Sequence, residues 1–131
     1  MTDSTDSRLP ELSKLAWDVR GRARILGTTR VGCAVLDERG RTSVGCNIEH
    51  RFRSHDIHAE TAAISAMVAD GGTRLVCVFI VAERERFTPC GACLDWIFEL
   101  GGPECQVMFQ GEPTVEVSRF VARDLMPHYP S

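Results

Sequence analysis

The chain has no apolar run approaching the about 20 residues that a membrane-spanning helix requires. Its first residues, Met1-Thr2-Asp3-Ser4-Thr5-Asp6-Ser7, are polar and lack the features of a secretory signal, so the expected compartment is the cytoplasm. Basic residues are not in excess: 15 Lys and Arg stand against 18 Asp and Glu, a formal net charge of −3. That balance argues against a general nucleic-acid binder, which carries a basic stripe. There are no internal repeats and no linker-like stretch. A disulfide framework is also missing, although there are six cysteines. Cys33, Cys46, Cys77 and Cys105 lie in apolar or strand-like runs and read as small core residues. Only Cys90 and Cys93 have metal-ligand spacing. With 131 residues, 44% of them hydrophobic, the chain suits one domain that buries roughly two thirds of its unfolded surface. Residues 1–8 are read as a disordered tail and residues 9–131 as that single domain.

Periodicity supplies the elements. Leu12, Leu15, Ala16 and Val19 form a helical stripe from about Pro10, expected to run to Ile25 or Leu26 and to stop near Gly27. Val31–Leu36 and Thr42–Asn47 read as strands of a hairpin, turned by Asp37-Glu38-Arg39-Gly40. Residues 48–57 form a polar loop, rich in His and Arg, placed to wall a substrate site. A helix opens near His58, with Ala59, Ala62, Ala63, Ala66 and Met67 on one face, and ends at Gly71-Gly72. Leu75–Ala82 is continuously apolar, as expected of a central strand buried on both faces. Glu83-Arg84-Glu85-Arg86 reads as a solvated charged loop. A third helix from Cys90 buries Leu94, Ile97 and Phe98. Strands are predicted at Cys105–Phe109 and Thr114–Val117, with a short last helix carrying Val121, Leu125 and Met126. This order predicts a sheet covered by helices on both faces, with two helix starts meeting at one sheet edge.

Those two helix starts carry the chemistry. Cys90-Gly91-Ala92-Cys93 places two thiols three residues apart, on one helical face. The helix N-terminus favours negative charge and so favours thiolate ligands. His58 supplies a neutral imidazole as a third ligand. Three Cys and His ligands leave zinc one open position, the mark of a catalytic site. Glu60, two residues from His58, stands where a proton carrier is needed. His-x-Glu followed by Pro-Cys-x-x-Cys is the pattern of the zinc deaminases. Taken alone, the Cys-x-x-Cys pair also suits a structural zinc half-site or a thiol redox protein.

Together the motifs resemble the cytidine deaminase family, which includes small relatives such as blasticidin-S deaminase. The resemblance runs through Val31-Gly32-Cys33-Ala34, Gly45-Cys46-Asn47-Ile48-Glu49, His58-Ala59-Glu60, Thr88-Pro89-Cys90-Gly91-Ala92-Cys93 and Asp124-Leu125-Met126-Pro127. It implies a three-layer α/β/α fold around a five-stranded mixed sheet. It implies one Zn2+ per chain held by His58, Cys90 and Cys93, with Glu60 as the catalytic proton shuttle. Asn47 and Glu49 match positions that hold ribose hydroxyls, and the Ala59 backbone N–H matches a contact to the base carbonyl. The implied reaction is hydrolytic deamination of a cytidine-like nucleoside or modified aminopyrimidine by a homotetramer or dimer. The alternatives are another aminated base or nucleoside, of blasticidin-S, guanine or adenosine type. Small tetrameric members usually have three cysteine ligands with arginines near the thiolates. Here His58 replaces one cysteine, and Thr61 and Leu94 stand where those arginines are found. An imidazole with two thiolates leaves a zinc core neutral, so compensating cations are less needed. Thr29-Arg30 stands where the family has an aromatic residue and proline, which removes a ring expected against the base.

Overall fold

The computed structural model describes residues 4–130. Helix α1 (Ser4–Arg20) is followed by strands β1 (Val31–Asp37) and β2 (Thr42–Cys46), then a 3₁₀ turn over Arg53–His55. Helix α2 (Ala59–Ala69), strand β3 (Leu75–Ala82) and helix α3 (Gly91–Gly101) come next. The chain closes with β4 (Gln106–Gln110), β5 (Ser118–Val121) and α4 (Ala122–Leu125). Five strands form one mixed sheet in the order β2-β1-β3-β4-β5. β3 and β4 are parallel, joined across α3, and the other neighbours are antiparallel.

The period of two along the strands divides the core into two layers. Val31, Cys33 and Val35 of β1, Val78, Ile80 and Ala82 of β3, and Val107 and Phe109 of β4 point to one face. There they meet Ala59, Ala63, Ile64 and Met67 of α2 and Leu94 and Ile97 of α3. Ala34, Leu36, Cys77, Phe79, Val81 and Met108 point to the other face, where Leu9, Leu12 and Ala16 of α1 cover them. The result is an α/β/α sandwich. β3 is its central strand, buried on both faces, as its unbroken apolar run requires.

Two glycines set how closely the helices approach. A Cβ on Gly32 of β1 would lie 2.1 Å from the Ala16 carbonyl oxygen of α1. A Cβ on Gly45 of β2 would lie 2.4 Å from the Ala63 nitrogen of α2. The alanine-rich face of α2 and a glycine opposite it thus let helix and sheet meet almost backbone to backbone. Among the described residues, no helix is long and apolar enough to cross a membrane.

Several expectations are corrected. Residues 4–8 are not a tail: α1 begins at Ser4 and Pro10 lies inside it. The first turns are anchored from outside the helix. Asp6 pairs with Arg119 at 2.7 Å, and the buried Thr5 hydroxyl accepts from Gln106 at 3.3 Å. Met1–Asp3, the rest of the predicted tail, lie outside the described residues. Helix α1 ends at Arg20 rather than near Leu26, because residues 24–27 are drawn to the segment after β2. Arg24 N–H donates to Asn47 O at 3.1 Å, and Glu49 N–H to Arg24 O at 2.7 Å. The fifth strand is Ser118–Val121 rather than Thr114–Val117. The Gln110 amide donates to the carbonyls of Pro113 and Val115 and holds that stretch as a loop.

Candidate metal and substrate site

The site lies at one end of the sheet, where β1 begins and β2 and β3 finish. Gly32 is opposite Cys46, and Val31 opposite Ala82. Both motif helices pack on the same face, so their N-termini converge beyond these strand ends. The convergence is at an end of the central strands rather than at a sheet edge, as is usual for ligand sites beside a β-α-β crossover. His58 and Cys90 are the residues immediately preceding α2 and α3, in extended backbone conformation. Cys93 lies in the first turn of α3.

His58 Nδ1 is 3.3 Å from Cys90 Sγ and 3.5 Å from Cys93 Sγ. All three donor atoms lie within 4.8 Å of one another. Tetrahedral zinc, with nitrogen at about 2.0–2.1 Å and sulfur at about 2.3 Å, separates an N and an S ligand by about 3.5 Å. The donor set therefore fits zinc in both chemistry and spacing. Cys93 is buried whereas His58 and Cys90 are exposed, so the group opens toward a cleft. Burial pushes the Cys93 thiol up, with the Glu60 charge acting in the same direction and the Thr61 backbone N–H against it. A bound cation is what would hold that sulfur ionised.

The cleft has a volume of about 280 Å³. His58, Ala59, Glu60 and Cys90 line it, as do Asn47 and Glu49. All seven residues singled out in the sequence thus come together at one place, with Cys93 directly behind the lining. Glu60 is 2% exposed, and burial lifts its carboxyl above the usual range, the nearby His58 acting in the opposite direction. A carboxyl so placed, shifted upward beside a metal-ligand group, suits proton exchange. The Ala59 N–H belongs to the first turn of α2, whose amides have no intrahelical partner.

Asn47 and Glu49 are tied into the fold as well as lining the cleft. Asn47 Oδ1 accepts the Val31 N–H at 2.8 Å, and its amide donates to the Thr29 carbonyl at 3.0 Å. Glu49 Oε1 accepts the Leu26 and Gly27 N–H groups at 2.6 and 2.8 Å. Donation from Gly27 and Leu26 holds its carboxyl below the usual range, with Arg53 adding to the effect.

The polar loop over residues 48–57, expected to wall a substrate site, supplies Arg53, Asp56 and Ile57, and Thr88 of the second motif joins them. Arg84 and Phe87, also on the wall, are not singled out by sequence reasoning. Arg84 belongs to the stretch expected as a solvated charged loop, yet its guanidinium carbon sits 6.0 Å above the ring of Phe87. Phe87 in turn stacks on Phe109 at 5.8 Å. The usable signal was Phe87, an aromatic residue three before a predicted ligand. Thr29 does lie on the wall, where the family pattern has a ring. Tyr129 is elsewhere, stacked on Phe98 at 4.0 Å with its hydroxyl donating to Asp95 at 2.9 Å.

Comparison with known proteins agrees with this geometry. Residues 6–109 match the family model described as the cytidine and deoxycytidylate deaminase zinc-binding region. The chain is 36% identical over 75 residues to a cytidine deaminase of Mycobacterium tuberculosis, a match covering 56% of each protein. Its fold superposes on the crystal structure of cytidine deaminase from Mycobacterium leprae with a TM-score of 0.78 and 32% identity, over 90% of this chain and 96% of that one. For the cytidine deaminase structure from Burkholderia pseudomallei the values are 0.81 and 27%, over 90% and 95%.

Proposed function

Because the chain belongs to the cytidine and deoxycytidylate deaminase zinc-binding family, we propose that it is a zinc-dependent aminohydrolase that removes the amino group of a cytidine-like nucleoside as ammonia. The observation that carries this reading is the His58, Cys90 and Cys93 donor group beside the buried carboxyl of Glu60. His58, Cys90 and Cys93 would hold the metal. Bound there, zinc supplies a Lewis acid that makes water a nucleophile at neutral pH. Two thiolates balance its charge, which agrees with Thr61 and Leu94 standing in place of cations.

Glu60 moves the protons. Its carboxylate would take a proton from the attacking water and give it to the ring nitrogen, then take the remaining proton of the new hydroxyl on the ring carbon and give it to the departing amine. The amine departs as ammonia only when protonated, so this group acts twice in one turnover. The Ala59 N–H donates to the carbonyl oxygen of the base and fixes which ring carbon faces the metal. Asn47 and Glu49 hold the sugar hydroxyls, an amide and a carboxylate offering one donor and several acceptors.

The same reading covers a single catalytic domain that takes in α1 from Ser4 onward, acting in the cytoplasm as a homotetramer. Six free thiols suit a reducing compartment. Self-association is supported by Val68 and Trp96, each 52% exposed, which form with Ile64 and Leu100 an apolar groove outside α2 and α3.

The test is Glu60→Gln. We expect zinc content to stay near one per chain while ammonia release falls by about 10²–10⁴. A variant that deaminates cytidine normally, or a wild-type protein that releases no ammonia from any aminopyrimidine, removes the proposal.

A further inference from the structure

Glu49 does not stand alone in the cleft. Arg53 reaches it from the 3₁₀ turn, with Nη2 3.0 Å from Glu49 Oε2. The same guanidinium places Nε 2.8 Å from Asp56 Oδ2. Asp56 is itself fixed, because its other oxygen accepts the His50 N–H at 2.7 Å. The turn that makes this possible closes through His55 N–H to Phe52 O at 2.8 Å and Asp56 N–H to Arg53 O at 3.1 Å. It sets residues 53 and 56 side by side. The carboxylates are largely covered, at 11% and 15% side-chain exposure, whereas Arg53 is 55% exposed on the cleft wall.

This geometry divides the work of the two Glu49 oxygens. Oε1 is saturated by the Leu26 and Gly27 N–H groups. Oε2 has Arg53 on one side and lone-pair capacity left over. We propose that Arg53 is a positioning residue for sugar recognition. It clamps Glu49 between Asp56 and the Leu26–Gly27 backbone, so that Oε2 is held ready to accept from a sugar hydroxyl. The substrate class this selects is a nucleoside with free sugar hydroxyls, over one lacking them. The planar fork matters, since one guanidinium serves two carboxylates in fixed directions and an ammonium cannot. The inference rests on the deaminase reading and deepens it.

The experiment uses the zinc-loaded full chain with cytidine and with 2′,3′-dideoxycytidine, the latter read as substrate or as competitive inhibitor of cytidine turnover. Arg53→Ala is expected to raise KM for cytidine by about tenfold, the scale of one charge-assisted hydrogen bond, and to leave kcat within about twofold. Its effect on the dideoxynucleoside should stay within about twofold. Arg53→Lys should recover only part of the loss. In a Glu49→Ala background, Arg53→Ala should cost nothing more. Equal losses on both nucleosides, additive losses in the double variant, or a fall in kcat with loss of zinc would show that Arg53 merely secures the loop, and would overturn the inference alone. Unchanged cytidine kinetics in Arg53→Ala would do the same. A wild-type protein inert toward cytidine overturns the deaminase reading and takes this inference with it.

Discussion

Glu60 and Glu49 are two carboxyl groups on one cleft whose surroundings shift them in opposite directions. Glu60 is enclosed by the layer between α2 and the sheet, and burial favours its neutral form. Glu49 accepts two backbone N–H groups and a guanidinium, which favour its charged form. Such a split suits one carboxyl for moving protons and the other for holding hydroxyl groups. At this scale Glu49→Ala should raise KM for nucleosides by about tenfold and leave free bases unaffected. Steady-state kinetics on cytidine and cytosine measure the difference, and equal loss on both would remove the sugar-binding assignment.

The two helices of the motif are placed by the elements they rest on. Gly45 lets the start of α2 lie against β2, where an added methyl would meet the Ala63 nitrogen and the Ala59 carbonyl at 2.4 and 2.7 Å. Gly32 does the same for α1, on the face of the sheet opposite to the helices that present His58, Cys90 and Cys93. Gly45→Ala should therefore lower both the melting temperature and zinc affinity, since relief moves the helix that carries His58 and Glu60. Gly32→Ala should lower the melting temperature by a similar amount and spare zinc binding. Thermal unfolding with and without added zinc separates the two. The β1–β2 turn depends on Asp37, whose side chain is fully covered. Its carboxylate accepts the Arg39 and Arg41 N–H groups at 2.8 and 3.2 Å and pairs with the Arg39 guanidinium at 2.7 Å. Burial alone would raise its pKa, but these hydrogen bonds outweigh burial and hold it below the usual range. A group lowered in the folded state stabilises above its unfolded pKa of about 3.9 and loses that contribution as pH falls through the folded value. Asp37→Asn should thus cost about 2 kcal/mol near pH 7. The gap to wild type should close as pH falls below about 4, which melting curves across pH 3–7 would register.

For the whole molecule, the surface outside α2 and α3 is the feature left over by the monomer. Val68 and Trp96 are both half exposed there, beside a face whose inner side holds the metal ligands. Burial of a tryptophan is among the largest single contributions to an interface. Trp96→Glu is expected to shift the protein toward monomer in sedimentation velocity while leaving zinc content near one per chain. An unchanged sedimentation coefficient would count against this face as the subunit contact.

What the sequence by itself determined is local in origin. The apolar strand runs of β1 and β3, the alanine face of α2, and ligand types at fixed spacing near helix starts are dictated by side-chain chemistry over short distances. The candidate ligands His58, Cys90 and Cys93 and the neighbouring Glu60 are therefore legible, because His-x-Glu and Cys-x-x-Cys each sit at a single helix terminus. Tertiary structure decided what depends on residues distant in the chain. The extension of α1 back to Ser4 relies on Arg119 and Gln106, more than a hundred positions away. The early stop at Arg20 follows from Glu49 recruiting the backbone of Leu26 and Gly27. The walls formed by Arg53 and Arg84 have no periodicity of their own, since loop residues take their positions from the partners they meet.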